Sequence, residues 1–161
     1  MLKKLLILLL AATALFPLHA QVLVYKGTSS YSSDCVFTYH EGRIYRGTST
    51  YTSDCLFTYK DGKIYRGTST YSSDCLATYQ SGKLYRGTST YTSDCIATFS
   101  SGKIYKKTST YSSDCVATFS SNKLYKGTST YTSDCLLNFS RRPPDAVVAW
   151  ITYYCFRGYF L

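Results

Sequence analysis

Tyr45-Arg-Gly-Thr-Ser-Thr-Tyr-Thr-Ser-Asp-Cys-Leu-Phe-Thr-Tyr-Lys-Asp-Gly-Lys-Ile64 is one of six near-copies laid head to tail. The copies begin at Tyr25, Tyr45, Tyr65, Tyr85, Tyr105 and Tyr125. Tandem self-similarity decides architecture before any local signal does, because each unit must bury its apolar face against its neighbours. Within a unit, Cys55-Leu-Phe-Thr-Tyr59 and Lys63-Ile-Tyr-Arg66 are rich in aromatic, aliphatic and Thr residues, which suit strands. Asp61-Gly62 between them supplies a tight turn, echoed by Glu41-Gly42, Ser81-Gly82, Ser101-Gly102 and Ser121-Asn122. Gly47 to Asp54 is a longer polar connection without helical periodicity, so no helix is expected there.

The register depends on the turn. With a three-residue loop, Tyr59 pairs with Lys63, and Leu56, Thr58, Ile64 and Arg66 share a face. A two-residue turn regroups them, because a slip by one residue moves side chains across the sheet. The first strand carries Phe37 and Phe57 where later copies carry Ala77, Ala97 and Ala117, so one face tapers along the array. The fold class expected is all-β: six tandem antiparallel hairpins as an open or curved meander or solenoid. A closed barrel, trefoil or propeller-like ring is the alternative.

The array ends at Arg141-Arg142-Pro143-Pro144, since proline cannot extend a ladder. Asp145 to Tyr154 then reads as a short helix with Asp145 as N-cap and Val147, Trp150, Ile151 and Tyr154 on one face. It would cover the last hairpin, with Trp150 in its core. At the other end, Lys3 and Lys4 precede a twelve-residue apolar run, Leu5 to Phe16, the pattern of a secretory signal peptide. The organisation expected is a signal peptide over residues 1–20, a six-repeat β domain over 21–140 and a capping segment over 141–161. The chain is then exported to the bacterial periplasm or beyond. No segment of the mature chain is long enough as an apolar helix to span a membrane.

The residues 21–161 carry 16 basic and 9 acidic side chains. That balance favours anionic partners, an acidic polysaccharide or an envelope surface, and export makes nucleic acid an unexpected one. Two basic ladders run through the units: Arg43, Lys63, Lys83, Lys103, Lys123; and Lys26, Arg46, Arg66, Arg86, Lys106, Lys126. Tyrosine ladders accompany them, at Tyr45, Tyr65, Tyr85, Tyr105, Tyr125 and at Tyr51, Tyr71, Tyr91, Tyr111, Tyr131. Tyr45, Arg46, Tyr65, Arg66, Tyr85, Arg86, Lys63 and Lys83 are the candidate binding residues, adding weak contacts repeat by repeat.

Catalytic chemistry is not expected. Past Ala20 there is one histidine, His40, with no cysteine partner in sequence, and the six Asp54 equivalents read as structural copies. The cysteines, Cys35 to Cys155, stand at a uniform spacing of twenty. In a hairpin array, equivalent positions lie ~9.6 Å apart, beyond the ~7 Å Cα separation a disulfide tolerates. A one-coil-per-unit solenoid would bring them within reach. Cys135–Cys155 is the pair to test first, and no metal or cofactor is expected. Besides a binding module, the pattern suits a structural protein that self-associates through edge strands or thiols, or a secreted effector or immunity partner.

The units, with Gly-Thr-Ser-Thr-Tyr-Ser-Ser-Asp followed by an aromatic strand and Asp-Gly or Ser-Gly, resemble those of small bacterial secreted repeat proteins. Their units read roughly Gly-Asn-Ser-Thr-Tyr-Ser-Ser-Asp and close on a short aromatic segment containing Trp. The resemblance covers about residues 25 to 156, and departs where Thr48, Thr68 and their copies replace Asn. It implies architecture and carries no activity. A fainter likeness is to membrane-occupation-type hairpin repeats, through Gly62-Lys-Ile-Tyr65-Arg-Gly67; the unit length differs, so it is an analogy of fold.

Overall fold

The computed structural model describes residues 20–161, so the expected signal peptide lies outside the described residues apart from Ala20. β1 is Val22–Lys26. Five hairpins follow: β2 (Cys35–His40) with β3 (Arg43–Arg46), β4 (Cys55–Lys60) with β5 (Lys63–Arg66), β6 (Cys75–Gln80) with β7 (Lys83–Arg86), β8 (Cys95–Ser100) with β9 (Lys103–Lys106), and β10 (Cys115–Ser120) with β11 (Lys123–Lys126). β12 (Cys135–Phe139) and helix α1 (Asp145–Cys155) complete the chain.

Each hairpin turns on two residues. Tyr59 faces Ile64 and Lys60 faces Lys63, so the three-residue register is corrected to the two-residue one. Asp61 has φ +51 and Gly62 φ +74, both left-handed, as a type I′ turn demands. This turn prevails because its twist matches that of the strands it joins. Ser121 and Asn122 hold the same conformation without glycine. Phe57, Tyr59 and Ile64 therefore share one face, and Thr58 and Tyr65 lie on the other.

The strands close. β12 pairs with β11 on one side and with β1 on the other, so all twelve form one antiparallel barrel. The open array expected first is overturned in favour of the alternative, a closed barrel. The reason lies in the ends of the array. The sixth unit has only its first strand, because the prolines remove the second. β1, which precedes the first full unit, occupies that place: Val24 faces Phe139 as Ile64 faces Tyr59. The junction is sealed by Ser140, whose Oγ accepts from Leu23 N at 2.9 Å and whose N donates to Leu23 O at 2.8 Å. Between units a bulge recurs, as between Ile64 and Tyr65 opposite Cys75 and Ala77. Bulges increase twist and bend strands, which helps a sheet curl on itself.

The core is a set of rings around α1. Val24, Ile44, Ile64, Leu84, Ile104 and Leu124 are fully buried. On α1, every residue from Ala146 to Thr152 is buried. Seven consecutive buried positions point in all directions, so the helix is surrounded rather than laid on a surface. Its N-terminal approach, Arg141 to Pro144, lies beside Tyr39 to Gly42 at the turn end of the barrel. Beyond its C-terminus, Arg157 and Phe160 lie beside Arg86 and Lys107 at the opposite end. The helix thus runs through the bore. Twelve strands at ~4.8 Å give a circumference of ~58 Å and a width of ~18 Å before tilt. A helix with side chains measures ~10–12 Å, so the bore is matched to one helix.

The segment expected to cover the last hairpin is therefore the plug of the whole ring. Asp145 is its first helical residue, not its N-cap, which is Pro144. Asp145 accepts from Arg142 at 2.7 Å and places negative charge in the first turn, where the helix dipole favours it. The taper now has a cause. α1 lies nearest β7 and β8, on the side where Ala77 and Ala97 make room. Further round the ring, on β4, Phe57 packs edge-on to Trp150 at 5.2 Å and to Tyr154 at 4.9 Å.

Candidate functional site: the loop end of the barrel

The six longer connections all emerge at one end of the barrel, where the odd strands finish and the even strands begin. Contrary to the reading of Gly47 to Asp54 as wholly irregular, each contains one turn of 3₁₀ helix, such as Thr52–Asp54. A turn this short leaves no periodic trace in a sequence. Its geometry is built from small polar groups. Gly47, at φ +58, sends its N–H back to Val36 O at 2.9 Å. Tyr51 N donates to Ser49 Oγ at 3.1 Å, and Ser49 Oγ donates to Asp54 Oδ2 at 2.6 Å. Asp54 N closes the loop on Tyr51 O at 2.9 Å. The acidic copies are thus held by serine hydroxyls within their own connections. A carboxylate accepting local hydroxyl and amide hydrogens orders a loop at little cost.

This scaffold leaves one side chain outside. Tyr31, Tyr51, Tyr71, Tyr91, Tyr111 and Tyr131 are 74–76% exposed, six copies around one rim. Beside them stand Lys26, Arg46, Arg66, Arg86, Lys106 and Lys126, the last residues of the odd strands at the same end. All but Lys106 are exposed. Lys106 Nζ donates to Leu161 O at 2.9 Å, and Lys126 Nζ lies 5.8 Å from the centre of the Tyr159 ring. The basic ring therefore surrounds the chain leaving the bore.

The candidate binding residues separate into three groups. Arg46, Arg66 and Arg86 belong to this loop end. Tyr45 and Tyr65 are buried and Tyr85 is half-buried, each opposite the buried Thr of its hairpin. Their place among the candidate binding residues is corrected: they are sheet residues, and the exposed ladder is the one through Tyr51. Lys63 and Lys83, half-buried, begin their strands at the turn end. The two basic ladders thus lie at opposite ends of the barrel and do not form one stripe. The signal that marks Tyr51 is its flanks, Thr50 and Thr52-Ser53, which no strand face would supply.

The cysteines are free thiols, Cys135 and Cys155 included. Cys135 Sγ donates to Gly27 O at 3.2 Å, and Cys155 ends α1. Burial pushes the thiols of Cys35, Cys55, Cys95, Cys115 and Cys135 above their ordinary value, which disfavours the reactive thiolate. Among the described residues no group of His, Cys, Asp and Glu is gathered as a metal site.

A closed ring of five hairpins and a sixth strand pair made by its first and last strands, filled by its own helix α1, defines a six-fold barrel repeat protein. The chain belongs to the 6-fold beta flower protein family, whose model matches residues 24–150. That span runs from β1 to Trp150, so it takes in both the closing strand and most of the plug. No curated protein and no solved structure matches the chain.

Proposed function

We propose that this is an exported, non-enzymatic binding protein whose loop end docks on an acidic glycan or an anionic envelope surface. The observation that carries the reading is the rim of six tyrosines, each about three-quarters exposed, on the same end as six basic side chains. Large aromatic side chains are normally withdrawn from water, and six left outside by a well-bonded scaffold call for a partner. Tyrosine offers an apolar ring to sugar faces and a hydroxyl to polar groups. The cations supply attraction to acidic groups. Six weak contacts on one rigid ring then act together. Strands of four to six residues are shorter than the ~9–11 that cross a bilayer, which favours docking on a surface over spanning it. Assembly through sheet edges, the rival reading, loses its basis because every strand is paired on both sides.

The test is binding of the barrel to immobilised polygalacturonate and to lipopolysaccharide vesicles across a salt series. Affinity should fall as salt rises, and replacing Tyr51, Tyr91 and Tyr131 together by Ser should weaken it about tenfold or more. Binding that ignores both salt and the triple substitution rejects the reading, as does no binding to either.

A further inference from the structure

Five of the six long connections open on a left-handed glycine, and one does not. Gly27, Gly47, Gly67, Gly87 and Gly127 hold a left-handed φ of +55 to +58; the sixth copy of that position is Lys107, at φ +50. Any side chain is strained there. The backbone gains nothing in return: Lys107 N donates to Ile96 O at 2.9 Å, as Gly87 N donates to Leu76 O at 2.9 Å. What the lysine adds is a cation on the wall of one groove.

That groove, about 520 Å³, lies where the chain leaving the bore crosses the fourth and fifth connections. Arg86, Lys107 and Arg157 line it together with Ile96, Tyr153 and Phe160. Arg157 lies over the Tyr153 ring at 5.3 Å. Among the described residues the ion pairs are His40–Glu41 and Arg142–Asp145, so none of the three cations has a carboxylate partner. The one acidic side chain on the wall, Asp94, accepts from Ser89 Oγ at 2.6 Å, and Leu161, whose O accepts from Lys106 Nζ at 2.9 Å, also lines the groove. Cys95, also in the lining, is the one buried cysteine of the seven. Unpaired cations beside apolar walls, in a concavity of ligand size, are the makings of a site for an amphiphilic anion.

We infer that this groove is a single binding site for a small organic anion, with a phosphate or carboxylate head on Arg86, Lys107 and Arg157 and an apolar body against Ile96, Tyr153 and Phe160. It shares Arg86 with the loop-end cations but none of the rim tyrosines, which are repeated six times, whereas Lys107 and Arg157 occur once. A strained residue that sets its charge on a concave cationic wall fits a binding role better than a structural one.

Titration calorimetry with phenyl phosphate, and with inorganic phosphate to isolate the head group, tests it on the whole barrel. One phenyl phosphate should bind per chain, more tightly than inorganic phosphate. Lys107→Gly restores the repeat consensus, so it should melt no lower than the parent while binding about tenfold more weakly, the loss of one charge-assisted contact. Lys107→Gln, which keeps the strain and removes the charge, should lose affinity in the same way. Undiminished binding by both variants, several molecules bound per chain, or no binding at millimolar concentration overturns the site. The Tyr51, Tyr91 and Tyr131 triple variant should bind phenyl phosphate normally, which separates this outcome from that of the rim.

Discussion

Gly82 and Gly67 are both left-handed, yet they carry different burdens. A Cβ on Gly82, in a two-residue turn, would stand 2.9 Å from Phe99 O, whereas one on Gly67, in a long connection, would stand 3.9 Å from Cys55 O. Gly67→Ala should cost about 1 kcal/mol, the backbone strain alone, and Gly82→Ala about 2 kcal/mol or more because a neighbouring strand must also move. Urea midpoints of the two variants check the order. Trp150 offers a second contrast. Its ring is buried against Phe57, and its Nε1 is buried without a hydrogen-bond partner. Trp150→Phe removes that unpartnered donor and should be nearly neutral, while Trp150→Ala empties the bore and should cost about 3–5 kcal/mol. Titration gives a third. Burial, then the charges of Asp145 and Tyr59, push the Tyr79 hydroxyl from 10 to about 12, against the pull of Arg142. The native state holds this proton more tightly than the unfolded chain. The contribution of Tyr79 to stability is therefore complete below pH ~10 and is lost as pH rises from ~10 to ~12. Tyr79→Phe should flatten that part of the pH dependence of the urea midpoint, leaving the decline from about pH 9 that the buried thiols contribute.

Among the elements, β1 and α1 are the ones that turn a row of hairpins into a ring. Removing residues 20–26 would leave β2 and β12 with unpaired edges on a sheet that has lost its closure. The product should aggregate or pair with a second copy, seen as a shift to larger species on size-exclusion chromatography. The fit of α1 predicts an asymmetry between equivalent positions. Ala97→Phe merely copies the residue at Phe57, yet it drives a ring into the side where the helix lies closest, and should cost about 1–3 kcal/mol. The sites of the turns, the strands and the helix were legible from local chemistry: Asp61-Gly62, the Thr- and Tyr-rich runs, and the apolar stretch after Pro144; whether each turn took two residues or three was not. The placement of α1 was not. A sequence shows that Ala146 to Ile151 is apolar, but Val147, Trp150 and Ile151 read as one face until something is known to surround them.

For the whole molecule, closure was the step hidden from the sequence. Nothing in Val22-Leu-Val-Tyr-Lys26 announces a partner more than a hundred residues away; it is legible only after Pro143 and Pro144 are seen to remove the strand that β1 replaces. The rim was obscured for a related reason. Tyr45 and Tyr51 recur equally often, so their frequency says nothing about which is exposed, and the pairing of Tyr45 with Thr38 decides it. The departure at Lys107 was present in the sequence throughout, as the one connection lacking its first glycine, and acquires meaning only once that position is known to be left-handed.

Near-identical tandem units are the kind of DNA that slips during replication, gaining and losing copies. Here the plug acts as a gauge. Losing one unit leaves ten strands and a bore of ~15 Å, too tight for sheet and helix together; gaining one gives fourteen strands and ~21 Å, leaving a void around α1. A copy-number variant would therefore have to change its last helix in the same stroke. The likeness of the units to one another and their number thus answer to separate constraints, the first to duplication and the second to the diameter of a single helix.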